Sequence, residues 1–277
     1  MIKQDAHHLA VPDGYPVQIM GIVNVTPDSF SDGGRYKLTE DAVQHAMNLY
    51  EQGAHILDIG GESTRPGADI VSPAQEIDRV CPVIEKLRHL DVVISIDTRN
   101  AQTMKAALAA GADMINDVTA LQDDPEKMKA AKSADFICLM HMQGQPQTMQ
   151  ENPEYSDVVE DVYVFLAERI QACVDSGIDK QKLIADPGIG FGKSLAHNLQ
   201  LLQKLDRFQD LGVRLLLGTS RKTFISKIDS GAGVNERLGG SIASVLWGVQ
   251  KGCSIVRVHD VAATRQALAV QRAIQIL

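Results

Sequence analysis

The chain is poor in aromatic residues and cysteines, and it has no long hydrophobic run. Aromatic residues make up 4% of the 277 residues while 44% are hydrophobic, which predicts a core of Ala, Val, Ile and Leu side chains. The four cysteines are far apart and form no CxxC pair, which favours reduced thiols and a cytoplasmic protein. No segment approaches the roughly 18 consecutive apolar residues of a transmembrane helix, so we expect no membrane partner.

An excess of positive charge is also missing. The chain carries 27 Lys and Arg against 35 Asp and Glu, a formal net charge of −8. Binding to a phosphate backbone needs clustered basic residues, so we expect no nucleic-acid partner, and an anionic small substrate would need a local positive pocket. No Ser/Gly/Pro-rich linker, long charge run or strong repeat interrupts the chain. We therefore predict a single domain over residues 1–277, with residues 1–16 as an N-terminal extension.

Several catalytic signatures are absent as well. The chain has no GxSxG elbow, no HExxH zinc motif and no Cys/His pair, and no GxGxxG follows its first predicted strand. The first three absences argue against a covalent enzyme nucleophile or a zinc hydrolase. The last argues against the dinucleotide-binding version of a doubly wound sheet.

Strand and helix patterns alternate from end to end of the chain. Short apolar or β-branched runs are separated by segments with helical spacing, which predicts an α/β fold of the (β/α)₈ TIM barrel type, with a doubly wound open sheet as the alternative. Gly53, Gly111 and Gly177 are predicted to end helices. The eight predicted strands are 17–25, 55–60, 92–96, 113–118, 136–140, 183–185, 213–217 and 254–258.

Polar or special residues stand at the ends of all the predicted strands. In a (β/α)₈ barrel the active site lies at these carboxyl ends. Aspartates there often cap the next helix, which is the alternative role for Asp58 and Asp97, and Asp260 is interpreted mainly as a cap. His141 alone is more typical of a packed core histidine. Capping does not explain why several basic residues share the rim with the carboxylates: Arg65, Lys222, Arg257 and His259.

Charge divides this rim into two predicted subsites. Arg65, Arg257 and His259, together with backbone N–H groups at helix starts, suit a phosphate or pyrophosphate. The second subsite mixes donors and acceptors, as a flat polar heterocycle requires, because Asp186 can accept two N–H bonds and Lys222 can donate to the ring. The predicted ligand is therefore a heterocycle that carries a diphosphate. The heterocycle subsite consists of Asp97, Asn116, Asp186 and Lys222.

Departure of the diphosphate by C–O cleavage needs no enzyme nucleophile. The site must then stabilise a leaving anion and a developing cation, which preorganised charges can do. Magnesium suits the leaving group because it keeps several waters and often takes only one or two protein oxygens. We therefore expect a Mg²⁺ cofactor with Asn24 as its protein ligand.

Eight segments between about residue 19 and residue 259 are similar to a known family. In order, they are MGIVNVTPDSFSDGG, DIGGESTRPGA, SIDT, IND, MHMQG, DPGIGFGK, GTSRK and RVHD. In these segments the chain resembles the dihydropteroate synthases of folate biosynthesis, which are pterin-binding barrels. The resemblance implies an enzyme, usually a homodimer with Mg²⁺, that condenses 7,8-dihydropterin-6-ylmethyl diphosphate with p-aminobenzoate to give 7,8-dihydropteroate and pyrophosphate.

The resemblance also implies a reaction path. The path is SN1-like: the diphosphate leaves first, a pterin-methyl cation is stabilised near Asp97, and the aryl amine then attacks. The chain has no insertion next to Phe30 or Pro66 of the kind that would exclude sulfonamides. We therefore expect sulfonamide sensitivity. The implied catalytic residues are Asn24, Asp97, Lys222 and Arg257.

Binding roles follow from the same resemblance. Phe30 is expected to join the p-aminobenzoate pocket when the loop over residues 26–34 closes. The implied pterin residues are Asp97, Asn116, Met140, Asp186, Lys222 and Arg257; the diphosphate residues are Asn24, Thr64, Arg65, Arg257 and His259; the p-aminobenzoate residues are Phe30, Thr64, Pro66, Phe191, Ser220 and Lys222.

Two other functions fit part of this pattern. A pterin-barrel methyltransferase that serves a corrinoid protein would share the pterin-side Asp and Asn residues, but it needs neither an ESTRPG loop nor an Arg/His diphosphate site. A catalytically silent pterin-binding paralogue would be expected to lose Arg65, Lys222 or the first loop, and this chain has all three. The predicted function is therefore the synthase.

Overall fold

Eight parallel strands close into a barrel in chain order. The computed structural model describes residues 17–26, 34–63, 71–144 and 148–276, so the predicted extension 1–16 lies outside the described residues. Each strand pairs with its neighbours in the sequence, and the first pairs with the eighth. The predicted (β/α)₈ barrel is confirmed and the doubly wound alternative is wrong. The strands are β1 (Gln18–Asn24), β2 (Ile56–Gly60), β3 (Val93–Asp97), β4 (Met114–Asp117), β5 (Phe136–Met140), β6 (Leu183–Asp186), β7 (Arg214–Leu217) and β8 (Ile255–Val258).

Helices connect consecutive strands and cover the outside of the barrel. Two of them, α7 (Thr223–Ile228) and α8 (Leu238–Gln250), lie between β7 and β8. In the described part of the chain, no helix is long and apolar enough to cross a membrane. The other helices are α1 (Gly34–Glu51), α2 (Pro73–Leu87), α3 (Ala101–Ala110), α4 (Pro125–Ala131), α5 (Val158–Asp175), α6 (Leu195–Gln203) and α9 (Val261–Gln275).

Local sequence explains where several helices begin and end. Ser72 caps α2 in a capping box with Gln75, so two backbone N–H groups that the helix itself cannot satisfy gain partners. Gly53, Gly111 and Gly177 follow helices with φ angles of 99°, 116° and 93°. A side chain with a β-carbon disfavours this left-handed conformation, and the predicted helix ends are confirmed.

The barrel wall separates an outer core from an inner one. The outer core lies between strands and helices and contains residues such as Leu57, Ile94 and Phe208. Because alternate residues of a strand point to the same face, residues two or four positions after an inner-core residue also point into the barrel. The inner core consists of Met20, Ile56, Met114, Phe136, Cys138, Ile184, Leu216 and Ile255, with Val93 packed against it.

Polar residues occupy the inner face at the carboxyl end of the barrel. Their neighbours in the strands, such as Ile96 and Val258, point outward and are 0% and 1% exposed. The alternation therefore delivers the polar side chains to one place above the inner core, at the end of the barrel where the sequence predicts the active site. These inward-facing polar residues are Asn24, Asp58, Asp97, Asn116, Asp186 and Arg257, and the apolar Met140 lies among them.

Candidate active site

Arg257, near the end of β8, binds two carboxylates across the barrel. Its Nε donates to Asp58 Oδ2 at 2.6 Å, and its Nη2 donates to Asp97 Oδ2 at 2.7 Å. The side chains of Asp58, Asp97 and Arg257 are 0%, 15% and 21% exposed, so water screens these bonds weakly. Hydrogen bonds between charged partners are the strong ones, and they fix the guanidinium in the mouth of the barrel.

Asp58 is the centre of this network. Ser95 donates to its Oδ1 at 2.6 Å, and the Asn116 side-chain amide donates to its Oδ2 at 3.2 Å. Capping, the alternative role that the sequence allows, is therefore wrong for Asp58, and also for Asp97, which binds Arg257. Sequence reasoning does not place Asp58 among the site residues; its position two residues after inward-facing Ile56 is the signal that could have found it.

The network has more negative than positive charge. Burial raises the pKa of Asp97, while the Arg257 guanidinium opposes that shift and favours the ionised form. For Arg257, burial works against the charge, but Asp58 and Asp97 outweigh it and raise the pKa. Two carboxylates around one guanidinium make a site that favours an additional positive charge.

The loop after β6 forms a second wall of the site. Asp186 is 5% exposed, and its Oδ1 accepts a 2.8 Å hydrogen bond from the backbone N–H of Gly188. Gly188 has a φ of 68°, and a β-carbon there would lie 1.9 Å from the carbonyl oxygen of His141. Only glycine fits this position, where the chain turns tightly enough to aim an N–H at the carboxylate.

Lys222 lies over this loop. Its Nζ donates to the carbonyl oxygen of Ile189 and lies 4.6 Å from the centroid of the Phe191 ring. Burial lowers the pKa of Lys222 to about 8, with the Asp186 carboxylate opposing the shift. Lys222 and Phe191 are both predicted p-aminobenzoate residues, and the structure brings them together.

Lys193 also binds the loop after β6. The sequence alone assigns no structural role to this lysine. It is 2% exposed, and its Nζ donates to the Phe191 carbonyl oxygen and lies 2.9 Å from Nδ1 of His141. Burial and, to a smaller extent, the neighbouring Lys193 ammonium together lower the pKa of His141 to about 3. The neutral imidazole packs edge-on against Phe165, so the interpretation of His141 as a packed histidine is confirmed.

Ser220 and His259 join the loops that follow β7 and β8. The backbone N–H of His259 donates to Ser220 Oγ at 3.2 Å, and the same hydroxyl lies 3.0 Å from Nδ1 of the imidazole. The structure thus places a predicted p-aminobenzoate residue and a predicted diphosphate residue side by side.

The remaining predicted residues divide into two groups. Asn24 is half-buried at the end of β1, and Met140 is 4% exposed at the end of β5, beside Asp186 in the strand register. The other group lies outside the described residues, together with most of the predicted closing loop. It consists of Phe30, Thr64, Arg65 and Pro66.

The interpretation of Asp260 as a helix cap is wrong. Asp260 occupies the position before α9, but its side chain makes no capping hydrogen bond. It binds the Arg221 guanidinium instead, through Oδ2 at 3.0 Å from Nε and Oδ1 at 2.6 Å from Nη2. Sequence position alone cannot separate these roles, because Arg221 lies 39 residues away.

The fold and the site together define a class of protein. A closed barrel holds carboxylates, side-chain amides and half-buried cations at its carboxyl end, where (β/α)₈ enzymes bind their substrates. The model of the family described as pterin binding enzymes matches residues 20–259. The chain belongs to this family.

Individual relatives narrow the class to dihydropteroate synthases. The chain is 50% identical over 257 residues to the dihydropteroate synthase of Haemophilus influenzae, covering 92% of this chain and 93% of that protein. A solved dihydropteroate synthase from Xanthomonas albilineans, with 4-aminobenzoic acid, is 49% identical to this chain and has a TM-score of 0.88. The match covers 94% of this chain and 94% of that one. A Yersinia pestis dihydropteroate synthase in complex with a sulfonamide drug is 44% identical, with a TM-score of 0.88 and coverage of 94% of this chain and 95% of that one. The resemblance found in the sequence is confirmed.

Proposed function

We propose that the chain condenses 7,8-dihydropterin-6-ylmethyl diphosphate with p-aminobenzoate to give 7,8-dihydropteroate and pyrophosphate. The observation that carries this function is the meeting of Asp58, Asp97, Asn116 and Arg257 in one network at the carboxyl end of the barrel. The relatives named above are synthases of this kind, and one of them was solved with 4-aminobenzoic acid. The first line of support rests entirely on residues that the structure describes.

A flat pterin ring suits the two walls of the site. Asp186 is a buried carboxylate that can accept N–H bonds from the ring edge, and Lys222, whose pKa burial lowers to about 8, can donate to a ring carbonyl or nitrogen. Asn116 donates its side-chain amide to Asp58, so we assign its carboxamide oxygen to the ring. Met140 and Arg257 would pack on the two faces of the pterin.

The diphosphate would lie at the side of the mouth formed by the paired strands β1 and β8. Nε and Nη2 of Arg257 are used by Asp58 and Asp97, so we assign Nη1 to the diphosphate, together with His259. Asn24, at the end of β1, would supply a protein oxygen to Mg²⁺. In the residues that the structure describes, no three His, Cys, Asp or Glu side chains gather as an all-protein metal cage would require. A single protein oxygen fits Mg²⁺, which would take its other ligands from the diphosphate and water and, when bound, would supply positive charge to the leaving group.

The reaction exchanges a C–O bond for a C–N bond. The bond between the pterin methylene carbon and the diphosphate oxygen breaks, and its electron pair leaves with the diphosphate. The p-aminobenzoate nitrogen then donates its lone pair to the methylene carbon and loses a proton. Asp97 would stabilise the intervening cation, because its carboxylate is held in the site by Arg257 at 2.7 Å.

The p-aminobenzoate ring would lie against Phe191 and the stem of Lys222. The ammonium of Lys222 is 4.6 Å from the Phe191 centroid, so an apolar ring and a charge are available together. Ser220 lies on the neighbouring loop and is 7% exposed. We also assign Phe30, Thr64 and Pro66 to this pocket, and these three residues lie outside the described part of the chain.

Formation of dihydropteroate tests this function directly. Purified protein with both substrates and Mg²⁺ should form 7,8-dihydropteroate, and chromatography can measure its formation. A control without p-aminobenzoate should give none. If no product forms at any of the substrate concentrations tested, the proposed function is contradicted.

The activity should fall as the pH rises through about 8. Burial lowers the pKa of Lys222 to about 8, so the side chain is a cation below this pH and neutral above it. If the charge is needed to bind the pterin, kcat/KM for the pterin diphosphate declines on the alkaline side, since kcat/KM reports the free enzyme. Lys222→Arg should remove this alkaline decline in kcat/KM, because arginine stays charged. If kcat/KM of the arginine variant still declines above about pH 8, the decline belongs to the titration of another group.

Sulfonamides should inhibit the chain by competing with p-aminobenzoate. They share an aniline ring with the substrate, and the similar Yersinia pestis protein was solved with such a drug. The apparent KM for p-aminobenzoate should rise with sulfonamide concentration while the maximal rate stays constant. Normal dihydropteroate formation at saturating sulfonamide would contradict this expectation.

We also infer that the chain forms a homodimer through α8 and α9. Leu238, Val270 and Ile274 are 39%, 57% and 69% exposed, and they line one groove between these helices with Ile242 and Leu246. An exposed apolar patch of this kind is typical of an interaction surface. Light scattering should give about twice the chain mass of 30.1 kDa. A mass of one chain at assay concentration would contradict the dimer.

Two further assignments concern the whole chain. We infer that residues 1–277 contain a single pterin-binding domain and that the protein is cytoplasmic. All four cysteines are free thiols, the state favoured by a reducing compartment. Limited proteolysis that separates two stable halves would contradict a single domain, and recovery outside the cytoplasmic fraction would contradict the location.

A further inference from the structure

Arg221 stands between two predicted site residues in an unusual backbone conformation. It lies between Ser220 and Lys222 in the loop after β7, and its φ angle is 57°. Residues with a β-carbon rarely adopt this left-handed region, and it persists in folded proteins only where the surroundings hold it. The bonds around Arg221 therefore identify what holds this loop.

The guanidinium and both backbone polar groups of Arg221 have partners. The guanidinium binds Asp260 through two hydrogen bonds of 3.0 and 2.6 Å. The backbone N–H donates to Ser241 Oγ at 2.9 Å, and the backbone carbonyl accepts from Arg237 Nη1 at 3.0 Å. The last two partners tie the loop to the start of α8, and the first ties it to the loop after β8.

Two adjacent cross-links join the loops after β7 and β8. Ser220 contacts His259, and the next residue along each loop repeats the connection, since Arg221 binds Asp260. The side chains of Arg221 and Asp260 are 31% and 23% exposed, so this ion pair is partly shielded from water. A planar guanidinium that binds a carboxylate through two bonds fixes orientation as well as distance.

We propose that the Arg221–Asp260 pair positions the active site by holding residue 221 in the left-handed conformation from which Ser220 and Lys222 enter the barrel mouth. The proposal rests on the proposed function. Arg221 and Asp260 are positioning residues that do not touch the substrate. Without the pair, residue 221 returns to ordinary backbone angles, and Lys222 moves away from Ile189 and Phe191.

Alanine and glycine at residue 221 separate backbone conformation from charge. Both Arg221→Ala and Arg221→Gly remove the guanidinium, but only glycine adopts a φ of 57° without a steric penalty. We expect kcat/KM for the pterin diphosphate to fall at least about tenfold in Arg221→Ala, and Arg221→Gly to retain at least about fivefold more activity than the alanine variant. Asp260→Ala, which removes the pair but leaves Arg221 in place, should behave like Arg221→Ala.

A matched control removes a similar ion pair on the outside of the barrel. Arg207 binds Glu160 at 2.8 and 3.1 Å, and Arg207→Ala should keep kcat/KM within about twofold of wild type. All variants should give far-ultraviolet circular dichroism spectra like that of wild type. Equal activities of the alanine and glycine variants, or wild-type activity in Asp260→Ala, would overturn the proposal.

The pKa of Lys222 gives a second readout that needs no turnover. It can be followed by the pH dependence of acetylation with acetic anhydride and mass spectrometry. Because burial lowers the wild-type pKa to about 8, displacement into water should raise it toward 10.5 in Arg221→Ala, and less in Arg221→Gly. The same pKa in all three proteins would overturn the proposal. If wild-type protein makes no dihydropteroate but the variants show these pKa shifts, the proposed function is contradicted and the positioning role is still supported.

Discussion

Asp97→Asn should lower kcat by about 10²- to 10³-fold while binding of the pterin diphosphate stays within several-fold of wild type. Asparagine has nearly the same shape as aspartate and can still accept the 2.7 Å hydrogen bond from Arg257, so the ground-state site is preserved. The lost negative charge matters most as the methylene carbon becomes a cation. An interaction made mainly in the transition state lowers kcat without weakening substrate binding.

Binding and turnover must be measured separately to test this expectation. Equilibrium binding of the pterin substrate without p-aminobenzoate gives the first, and dihydropteroate formation at saturating substrates gives the second. Asp113→Asn is a matched control, because Asp113 accepts a 2.9 Å bond from Ile94 N at the other end of the same strand pair. An unchanged rate in Asp97→Asn would remove Asp97 from its role beside the cation.

Arg257→Met should destabilise the fold and abolish activity together. The change leaves Asp58 at 0% exposure with no cation at 2.6 Å, and removing one partner of a buried ion pair costs about 3–5 kcal/mol. The free energy of unfolding, measured in urea, should fall by about that amount. Catalysis should fall at least about 10³-fold, since the same side chain is assigned to the pterin and the diphosphate.

A double variant separates the two effects of Arg257. Adding Asp58→Asn removes the buried charge but keeps an acceptor for Ser95, so most of the lost stability should return. Activity should not return, because no guanidinium faces the substrates. Wild-type stability in Arg257→Met, or recovered activity in the double variant, would contradict the role of this network.

Periodicity explains why so much of the fold and the site can be predicted. Strands buried on both faces appear as short apolar runs, and the polar residue that ends each run must lie at one rim of a barrel. Asp97, Asn116, Asp186 and Arg257 are predicted in this way and share the barrel mouth.

Contacts between residues that are far apart in the sequence are what sequence alone does not determine. Asp58 and Arg257 are 199 residues apart, and their pairing depends on closure of the barrel between β1 and β8. An aspartate before a helix has the same sequence signature whether it caps that helix or binds a distant arginine, which is why Asp260 is assigned wrongly. Lys193 is missed because a lysine beside glycines is ordinary on a surface, whereas here it is 2% exposed.

Release of pyrophosphate from the pterin diphosphate is the most direct test of the central claim. The protein should be incubated with the pterin diphosphate, with and without p-aminobenzoate and Mg²⁺. We expect pyrophosphate to appear in a one-to-one ratio with dihydropteroate when both substrates and Mg²⁺ are present, and the rate to fall sharply in Asp97→Asn. No release of pyrophosphate under any of these conditions would contradict a synthase.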